Sequence, residues 1–199
     1  MLAKRLFDWV ISGLALLALS PVLLVIALAV KVDSPGPVFF RQQRVGRFGR
    51  PFLIHKFRTM VTDAEARGMQ ITVGADPRVT RVGRVLRQYK LDELPQLIDV
   101  FAGTMSLVGP RPEVPRYVAC YPEDVRSIVL SVRPGITDRA SIEFRNENEI
   151  LDKAQDPHEA YVNEVLPVKL GYYCDYVKHR SFWGDLAIIC ATVRAVVLR

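Results

Sequence analysis

Residues 10–30 form an apolar run, from Val10 to Val30, that contains no charged side chain. As an α-helix this run would be about 31 Å long, close to the roughly 30 Å thickness of the hydrocarbon core of a bilayer. A chain of 199 residues has room for one compact domain besides such a segment. The run therefore predicts a membrane element joined to a single domain.

The run allows three interpretations. Lys4 and Arg5 resemble the charged start of a signal peptide, but the run is longer than the core of a signal peptide and no small-residue cleavage site follows it. The second interpretation is a single-pass anchor. The third is a re-entrant helix that enters the membrane and returns to the same face.

The charges on both sides of the run favour the re-entrant interpretation. Lys4 and Arg5 precede it, and five basic residues follow it: Lys31, Arg41, Arg44, Arg47 and Arg50. Because positively charged segments stay on the cytoplasmic side, a crossing helix would place one of these groups on the wrong face. A helix that returns keeps both groups in the cytoplasm. A straight crossing stays open as the alternative.

The dipeptide Ser20-Pro21 lies at the middle of the run. Proline lacks a backbone N–H and leaves the carbonyl four residues earlier without its helical partner. In lipid that carbonyl must still be satisfied, and the neighbouring serine hydroxyl is a local donor. We therefore expect a re-entrant hairpin over residues 1–32, with its helix broken at Ser20-Pro21, and one continuous cytoplasmic domain over residues 33–199.

The C-terminal stretch SFWGDLAIICATVRAVVLR has apolar side chains at three-to-four spacing, bordered by Trp183, Arg194 and Arg199. This pattern predicts an amphipathic helix in the plane of the membrane interface. An ordinary helix packed on the core is the alternative. The net charge of +6 favours an anionic partner, namely nucleic acid, acidic lipid or a phosphorylated substrate. The three scattered cysteines indicate a reducing compartment.

The rest of the chain predicts a mainly α-helical domain with a small β-hairpin, an α+β fold. Two segments rich in β-branched and aromatic residues flank the sequence GRFG, which predicts the hairpin. DELPQLIDVFAG predicts a helix with Asp92 as N-cap, Pro95 in the first turn and Gly103 past the end. Further predicted helices are a short polar one at 62–69 and others at 115–131, 147–153 and 157–178. Neither a Rossmann nor a P-loop glycine motif is present.

Asp92 and Glu93 follow a run of cations without an interleaved acid: Arg78, Arg81, Arg84, Arg87 and Lys90. Such a run is ordinarily a solvated helix face, but here the mutual repulsion of the cations indicates an anionic ligand. We expect a carboxylate beside Arg87 and Lys90 to keep a low pKa and to stay ionised. An ionised carboxylate is a nucleophile toward phosphorus or a ligand for Mg²⁺.

Arg111 follows on the proline-stiffened segment GPRP, where a guanidinium suits phosphate recognition. Together with the acidic pair and the cations before it, this arginine predicts a phosphoryl-transfer site with Mg²⁺ close to a membrane surface.

Six motifs in order resemble the bacterial sugar transferases, the monotopic polyprenyl-phosphate phosphoglycosyl transferases. The motifs are GPVFFRQQRVG, HKFRTM, DPRVTRVGRVLR, LDELPQL, MSLVGPRPE and RPGIT. The match covers nearly the whole chain and resembles the minimal catalytic form of the family. The resemblance implies a bacterial inner-membrane protein whose catalytic domain lies on the cytoplasmic face.

The resemblance also implies an activity and its residues. The family transfers a sugar-1-phosphate from a UDP-sugar to undecaprenyl phosphate in a ping-pong reaction that releases UMP. Asp92 matches the nucleophile and Glu93 the Mg²⁺ ligand. The residues that match phosphate-binding positions are Lys56, Arg58, Arg87 and Arg111. Ser20 and Pro21 match the helix-breaking pair of the family's re-entrant helix.

Two departures separate this chain from the commoner family pattern: Thr104 stands where many members have Asp, and PGITDRASI replaces PGITGxAQV. The transferred sugar, the glycan pathway and the oligomeric state are not fixed by the sequence. The expected partners are a UDP-sugar, a polyprenyl phosphate, membrane lipids and downstream glycosyltransferases, with no nucleic acid. The alternative function is a non-catalytic basic membrane protein that binds anionic lipid or nucleic acid.

Overall fold

The computed structural model describes residues 2–64 and 76–197. This described part is mainly helical, as predicted, and contains the predicted hairpin and a second two-stranded sheet. The first half contains α1 (Leu2–Asp33), β1 (Phe39–Val45), β2 (Pro51–Phe57), α2 (Arg81–Gln88), α3 (Gln96–Ala102) and β3 (Ser106–Val108). The second half contains α4 (Pro115–Val118), α5 (Glu123–Val129), β4 (Gly135–Thr137), α6 (Arg139–Glu143), α7 (Glu147–Asp152), α8 (Pro157–Ala160), α9 (Leu166–His179) and α10 (Phe182–Val197).

Helix α1 continues through Pro21, so the predicted break at Ser20-Pro21 is not an end of the helix. The hydroxyl of Ser20 donates to the carbonyl of Leu17 at 2.7 Å. Leu17 lies four residues before Pro21 and is the carbonyl that the proline leaves without a partner. The local role predicted for the serine is confirmed, and it explains how the helix passes the proline. The path of α1 through a bilayer stays a prediction.

Helix α1 packs on the rest of the protein along one face and exposes an apolar surface on the other. Its buried residues are Asp8, Ser12, Ile26 and Val30. Its exposed large apolar residues are Leu2, Leu6, Trp9, Val10, Ile11, Leu14, Leu17, Val22, Leu24, Val25, Leu28 and Val32. The helix is long and apolar enough to cross a membrane, and only 11% of its most apolar window is buried in the protein. This low burial distinguishes α1 from the core helix of a soluble domain.

The predicted hairpin is confirmed. Strands β1 and β2 pair antiparallel from Phe39 opposite Phe57 to Val45 opposite Pro51. Their turn holds Phe48 at φ 60, a left-handed conformation that is unusual for a bulky side chain. The backbone N–H of Phe48 donates to the carbonyl of Leu130, which fixes the turn to the end of α5.

The second sheet, which the sequence did not predict, pairs β3 and β4 in parallel. Its glycines pack backbone against backbone, since a Cβ on Gly135 would lie 2.1 Å from the nitrogen of Gly109. Because the two strands are parallel, the segments that follow them leave the sheet at the same edge. One of these segments carries Arg111 and the other carries Asp138.

The later helices follow the predictions in part. The helix predicted at 115–131 is two helices, α4 and α5, because Pro122 has no N–H with which to continue the first of them. The prediction at 147–153 corresponds to α7. The helix predicted at 157–178 is three consecutive segments: α8, then a π-helical turn over Tyr161–Val165, then α9. Most of the short helix predicted at 62–69 lies outside the described residues.

Three clusters of buried side chains join these elements. One is built from α4, α5 and α9, and includes Tyr117, Val129 and Tyr173. A second lies between α1, α3, β3 and α10, and a third between the end of α1 and α2. The third cluster fixes α2, and the turn that carries Asp92 and Glu93 follows this helix.

Candidate active site

Asp92 and Glu93 lie in a 3₁₀ turn, Leu91–Glu93, between α2 and α3. Lys90 enters this turn with a positive φ of 55. The prediction that Asp92 caps the following helix is wrong, because α3 begins only at Gln96, directly after Pro95. Proline fixes its own φ and lacks an N–H, so it starts the α-helix one turn later than the acidic pair suggested. Gly103 ends α3 at φ 90, as predicted.

Glu93 is bound by two cations that come from different parts of the chain. Lys56, the penultimate residue of β2, places Nζ 2.9 Å from Oε1. Arg111 donates through Nη1 to Oε2 at 3.0 Å and through Nη2 to Oε1. A guanidinium that meets a carboxylate with two nitrogens is geometrically specific. The structure thus brings together three of the predicted site residues.

The electrostatics of Glu93 follow from these contacts. Burial by itself would raise the pKa of Glu93, because the charged form loses its hydration. The charges of Arg111 and Lys56, and their hydrogen bonds, outweigh burial and hold this pKa well below its ordinary value. Glu93 is therefore an anion that two cations neutralise. A low pKa was predicted from Arg87 and Lys90, but for Glu93 its causes are Arg111 and Lys56.

Asp92 differs from its neighbour. The residue is buried, and burial together with the negative charge of Glu93 raises its pKa. The cations Lys56, Arg87 and Lys90 act in the opposite direction but do not outweigh these effects. The expectation of a low pKa is wrong for Asp92, because the sequence did not reveal how little of this side chain reaches water.

Arg87 approaches the site from α2. Its Nε donates to the hydroxyl of Thr59 at 2.8 Å. Burial lowers the pKa of Arg87, and the negative charge of Asp92 acts against this shift. Helix α2 lies against this threonine because Gly83 has no side chain: a Cβ there would lie 2.1 Å from the carbonyl oxygen of Thr59. Thr80 caps the helix by accepting from the N–H of Gly83 at 2.9 Å.

Arg58 lies outside this cluster. Its guanidinium donates to the carbonyls of Ser34 at 2.7 Å and Val30 at 3.3 Å, and also to that of Pro35. Arg58 is buried at the C-terminal end of α1, where it satisfies one carbonyl of the last helical turn and two of the segment that follows. A role for it in phosphate binding stays a prediction.

The cation run is less uniform than the sequence suggested. Arg78 forms an ion pair with Asp76, which lies just before the run, with Nη2 2.6 Å from Oδ2. Arg81, Arg84 and Lys90 are exposed. No acid is interleaved in the run, but Asp76 just before it already pairs with Arg78.

The acidic pair fits one mode of Mg²⁺ binding. Among residues 2–64 and 76–197, no three His, Cys, Asp or Glu side chains are grouped so that they could hold a metal by themselves. Mg²⁺ is commonly bound by one or two carboxylates together with substrate phosphates and water. Asp92 and Glu93 supply hard oxygen donors for that mode. Glu93 would exchange its present bonds with Lys56 and Arg111 for the ion.

A second layer of polar residues, which sequence reasoning missed, lies behind Arg111. Arg44 donates through Nη1 to the carbonyl of Pro112 at 2.9 Å, and its Nη1 lies 3.7 Å from Glu113. The hydroxyl of Tyr161 donates to Glu113 at 2.7 Å. Glu113 belongs to the motif MSLVGPRPE, but nothing local indicated its partners, which come from distant elements. This layer fixes the segment that carries Arg111.

The departure in the segment PGITDRASI has a structural explanation. Asp138, in PGITDRASI, is buried and caps α6 by accepting from the backbone N–H of Ser141 at 2.9 Å and from its hydroxyl at 2.6 Å. Burial raises the pKa of Asp138, although the hydrogen bonds of Ser141 act against it. Thr104, the other departure, is exposed, and its hydroxyl donates to the carbonyl of Asp99 at 3.0 Å.

A comparison with known proteins identifies the family of this chain. The whole chain, residues 1–199, matches the family described as bacterial sugar transferase. The chain belongs to this family of transferases.

The curated relatives have related names. The UDP-glucose:undecaprenyl-phosphate glucose-1-phosphate transferase of Escherichia coli is 40% identical over 195 residues, which are 96% of this chain and 39% of the relative. The UDP-N-acetylgalactosamine-undecaprenyl-phosphate N-acetylgalactosaminephosphotransferase of Aeromonas hydrophila is 36% identical, over 98% of this chain and 43% of the relative. The chain therefore spans about two-fifths of the length of these two relatives. The sugar transferase EpsL of Bacillus subtilis, named as uncharacterized, is 36% identical over 100% of this chain and 89% of its own length.

Proposed function

We propose that this protein transfers a sugar-1-phosphate from a UDP-sugar to a polyprenyl phosphate, with release of UMP. The observation that carries the proposal is the placement of Asp92 beside Glu93, where Lys56 and Arg111 converge. This arrangement combines a carboxylate nucleophile with cations that suit a diphosphate. The names of the relatives support the classes of donor and acceptor.

The proposed reaction has two steps. In the first, a carboxylate oxygen of Asp92 attacks the β-phosphorus of the donor. The bond from this phosphorus to the bridging oxygen breaks, and UMP leaves with the electron pair. In the second, an oxygen of the lipid phosphate attacks the phosphorus of the aspartyl phosphosugar. The bond to Asp92 breaks, so the carboxylate is restored and a polyprenyl diphosphate sugar is formed.

The cations of the site act on the diphosphate in this scheme. Lys56 and Arg111 exchange Glu93 for phosphate oxygens, and Arg87 approaches from α2. Glu93 and Asp92 would hold Mg²⁺, which supplies charge neutralisation on the departing phosphate. Because Asp92 is buried and its pKa is raised, the binding of a cationic group beside it favours the ionised form that attacks.

The docking of α1 supports a monotopic arrangement, which we place on the cytoplasmic face of the bacterial inner membrane. Near its start, Lys4 forms an ion pair with Asp185 of α10, and Arg5 donates to the carbonyl of Val100 at 2.8 Å. Near its end, Arg58 bonds to the carbonyl of Val30. A helix of 32 residues is about 48 Å long, which exceeds the bilayer core. If it crossed straight, its two ends would lie on opposite sides, whereas both contact the same domain.

Helix α10 supports the same arrangement. Phe182 and Trp183 at its start are exposed, and Phe182 meets Phe7 of α1 edge to face at 5.2 Å between ring centroids. Aromatic side chains are typical of membrane interfaces. The reaction would then be the first membrane step in assembling a glycoconjugate such as O-antigen, capsule, exopolysaccharide or glycoprotein, with downstream glycosyltransferases as further partners.

The test of the activity is a UMP-release assay on the purified full chain, with a panel of UDP-sugars that includes UDP-glucose and UDP-N-acetylgalactosamine. We expect UMP from at least one donor in the presence of MgCl₂ and loss of the signal with EDTA. Release before lipid phosphate is added supports the aspartyl intermediate. If no donor yields UMP with or without polyprenyl phosphate, the proposed activity is wrong.

The test of topology is cysteine labelling from each side of intact vesicles. Cysteines introduced at residues 3 and 48, both exposed, replace the native Cys120, Cys174 and Cys190 as reactive thiols. We expect both positions to react from the cytoplasmic side. Reaction from opposite sides would show a crossing helix.

A further inference from the structure

Gln96 has a fully buried carboxamide without a hydrogen-bond partner. The residue is 1% exposed, and neither Oε1 nor Nε2 forms a hydrogen bond. A buried polar group that makes no hydrogen bond lowers the stability of the fold, and such groups are few in native proteins. Gln96 lies three residues after Glu93, so this unpaired amide adjoins the candidate active site.

The backbone places Gln96 on one face with two carboxylates. Hydrogen bonds of the i to i+3 type connect Lys90 to Glu93, Leu91 to Leu94, Leu94 to Leu97 and Pro95 to Ile98. In a 3₁₀ geometry, side chains three residues apart are aligned. Glu93, Gln96 and Asp99 therefore form one row along the start of α3.

The two ends of this row bond to β2. Lys56 binds Glu93 at 2.9 Å, and the next residue toward the start of the strand, His55, binds Asp99 through its backbone N–H at 2.9 Å and its ring Nδ1 at 2.7 Å. Gln96 stands between these two contacts and is the member of the row without a partner.

The bonds that hold Glu93 cannot all persist when a donor binds. Glu93 accepts three hydrogen bonds, one from Lys56 and two from Arg111. Under the proposed function these same cations bind the diphosphate. Mg²⁺ would bind one oxygen of this buried carboxylate, and the other oxygen needs a hydrogen-bond donor to keep the orientation of the side chain. The amide N–H₂ of Gln96 lies in the same row as Glu93 and forms no hydrogen bond of its own, so it is available as this donor.

We propose that Gln96 is a positioning residue, whose amide donates to Glu93 when Lys56 and Arg111 turn to the donor diphosphate. The proposal rests on the proposed function. It explains why the polar side chain of Gln96 occupies a buried position where, without a bound donor, it has no hydrogen-bond partner. An apolar side chain of similar size would make the protein without ligand more stable, but it could not hold Glu93 when the UDP-sugar is bound.

The test compares Gln96→Met and Gln96→Leu with the full wild-type chain, and with Gln43→Met at an exposed position on β1 as the control. Melting temperatures are measured without ligand. Initial rates of UMP release are measured at saturating UDP-sugar, together with the KM for the donor and the half-saturating MgCl₂ concentration. The control is expected to match the wild type in all four quantities.

We expect Gln96→Met to melt at the wild-type temperature or higher, because the free protein loses an unsatisfied amide. We expect kcat to fall about tenfold or more, since one hydrogen bond to a charged group is lost. The KM for the donor changes little, and the half-saturating MgCl₂ concentration rises. This separation of stability from kcat is not expected of a residue that only fills the core.

Two results would overturn the assignment. Normal kcat in both variants would show that the amide has no role in the loaded site. A lower melting temperature in both would show that the amide already has partners in the free protein. If the wild type itself releases no UMP from any donor, the proposed function fails first, and the Gln96 assignment fails with it. If the wild type releases UMP and the Gln96 variants do so at the same kcat, only the Gln96 assignment fails.

Discussion

Arg111 holds the carboxylate of Glu93 with both terminal nitrogens of its guanidinium, and neither residue is fully exposed. The two residues are eighteen positions apart and belong to different elements. Their contact joins the segment after β3 to the turn that carries Asp92. We regard this pair as the structural link between the acidic motif and the proline-rich motif.

Arg111→Lys tests this link. Lysine keeps the charge but cannot meet the carboxylate with two nitrogens, so Glu93 stays buried with fewer donors. We expect the free energy of unfolding to fall by about 1–3 kcal/mol in denaturant melts. Arg50→Lys at an exposed position in the hairpin turn is the control and should change little. An unchanged stability in Arg111→Lys would mean that the paired geometry contributes nothing.

Asp92→Asn tests the nucleophile. The amide keeps the shape of the side chain but has no carboxylate to attack phosphorus, so we expect UMP release to fall by at least about 10³-fold. Because burial already disfavours the charged form of Asp92, the variant should melt no lower than the wild type. Asp124→Asn, on the exposed side of α5, is the matched control. Wild-type rates in Asp92→Asn would refute the aspartyl intermediate.

The alternative of a non-catalytic lipid or nucleic-acid binder makes a different prediction. Its binding depends on cations and persists in Asp92→Asn, with strong dependence on salt. Vesicle flotation with and without anionic lipid, over a range of NaCl concentrations, measures it. Salt-sensitive binding in a protein without UMP release would favour this alternative.

Gly83→Ala tests how α2 carries Arg87 to the site. A methyl group at this position would lie 2.1 Å from the carbonyl oxygen of Thr59, which is backbone and cannot rotate away. We expect a loss of about 1–3 kcal/mol in stability and a slower reaction, because α2 must shift and Arg87 with it. Gly171→Ala in α9 meets nothing within 4 Å and should stabilise the protein by up to about 1 kcal/mol. Equal melting temperatures for the two variants would contradict the packing.

The sequence could predict what depends on local pattern. The hairpin followed from two β-rich segments around GRFG, and the end of α3 followed from Gly103. The pairing of β3 with β4 could not be predicted, because each strand has three residues and their contact depends on chain segments far apart. The start of α3 was misplaced because Asp92 resembles an N-cap in sequence, whereas Pro95 determines where the α-helix begins.

For the candidate site too, the sequence could predict which residues take part but not how buried they are. Residue type and spacing indicated Asp92, Glu93 and Arg111 as one site. Burial is a property of the folded chain, and it reversed the expected direction of the pKa shift at Asp92. Arg58 shows a similar limit, because its neighbours in the motif gave no sign that its guanidinium would bond to the end of α1.

The last prediction concerns the hydrogen bond from Ser20 to the carbonyl of Leu17. Ser20→Ala leaves this carbonyl unpaired beside Pro21, and we expect it to lower the stability of the full chain in detergent by about 1–2 kcal/mol. In a Pro21→Ala background, residue 21 has an N–H that bonds to Leu17 itself. The same serine change should then have almost no effect, which gives a coupling energy of about 1 kcal/mol between the two positions.

Ser12→Ala is the control for this cycle. The hydroxyl of Ser12 also donates to a carbonyl three residues earlier, that of Trp9, but no proline follows and Gly13 carries an N–H for that carbonyl. Pro21→Ala should therefore leave the effect of Ser12→Ala unchanged. If Ser20→Ala has the same effect with and without Pro21, the hydroxyl does not replace the missing donor, and the continuity of α1 through the proline needs another cause.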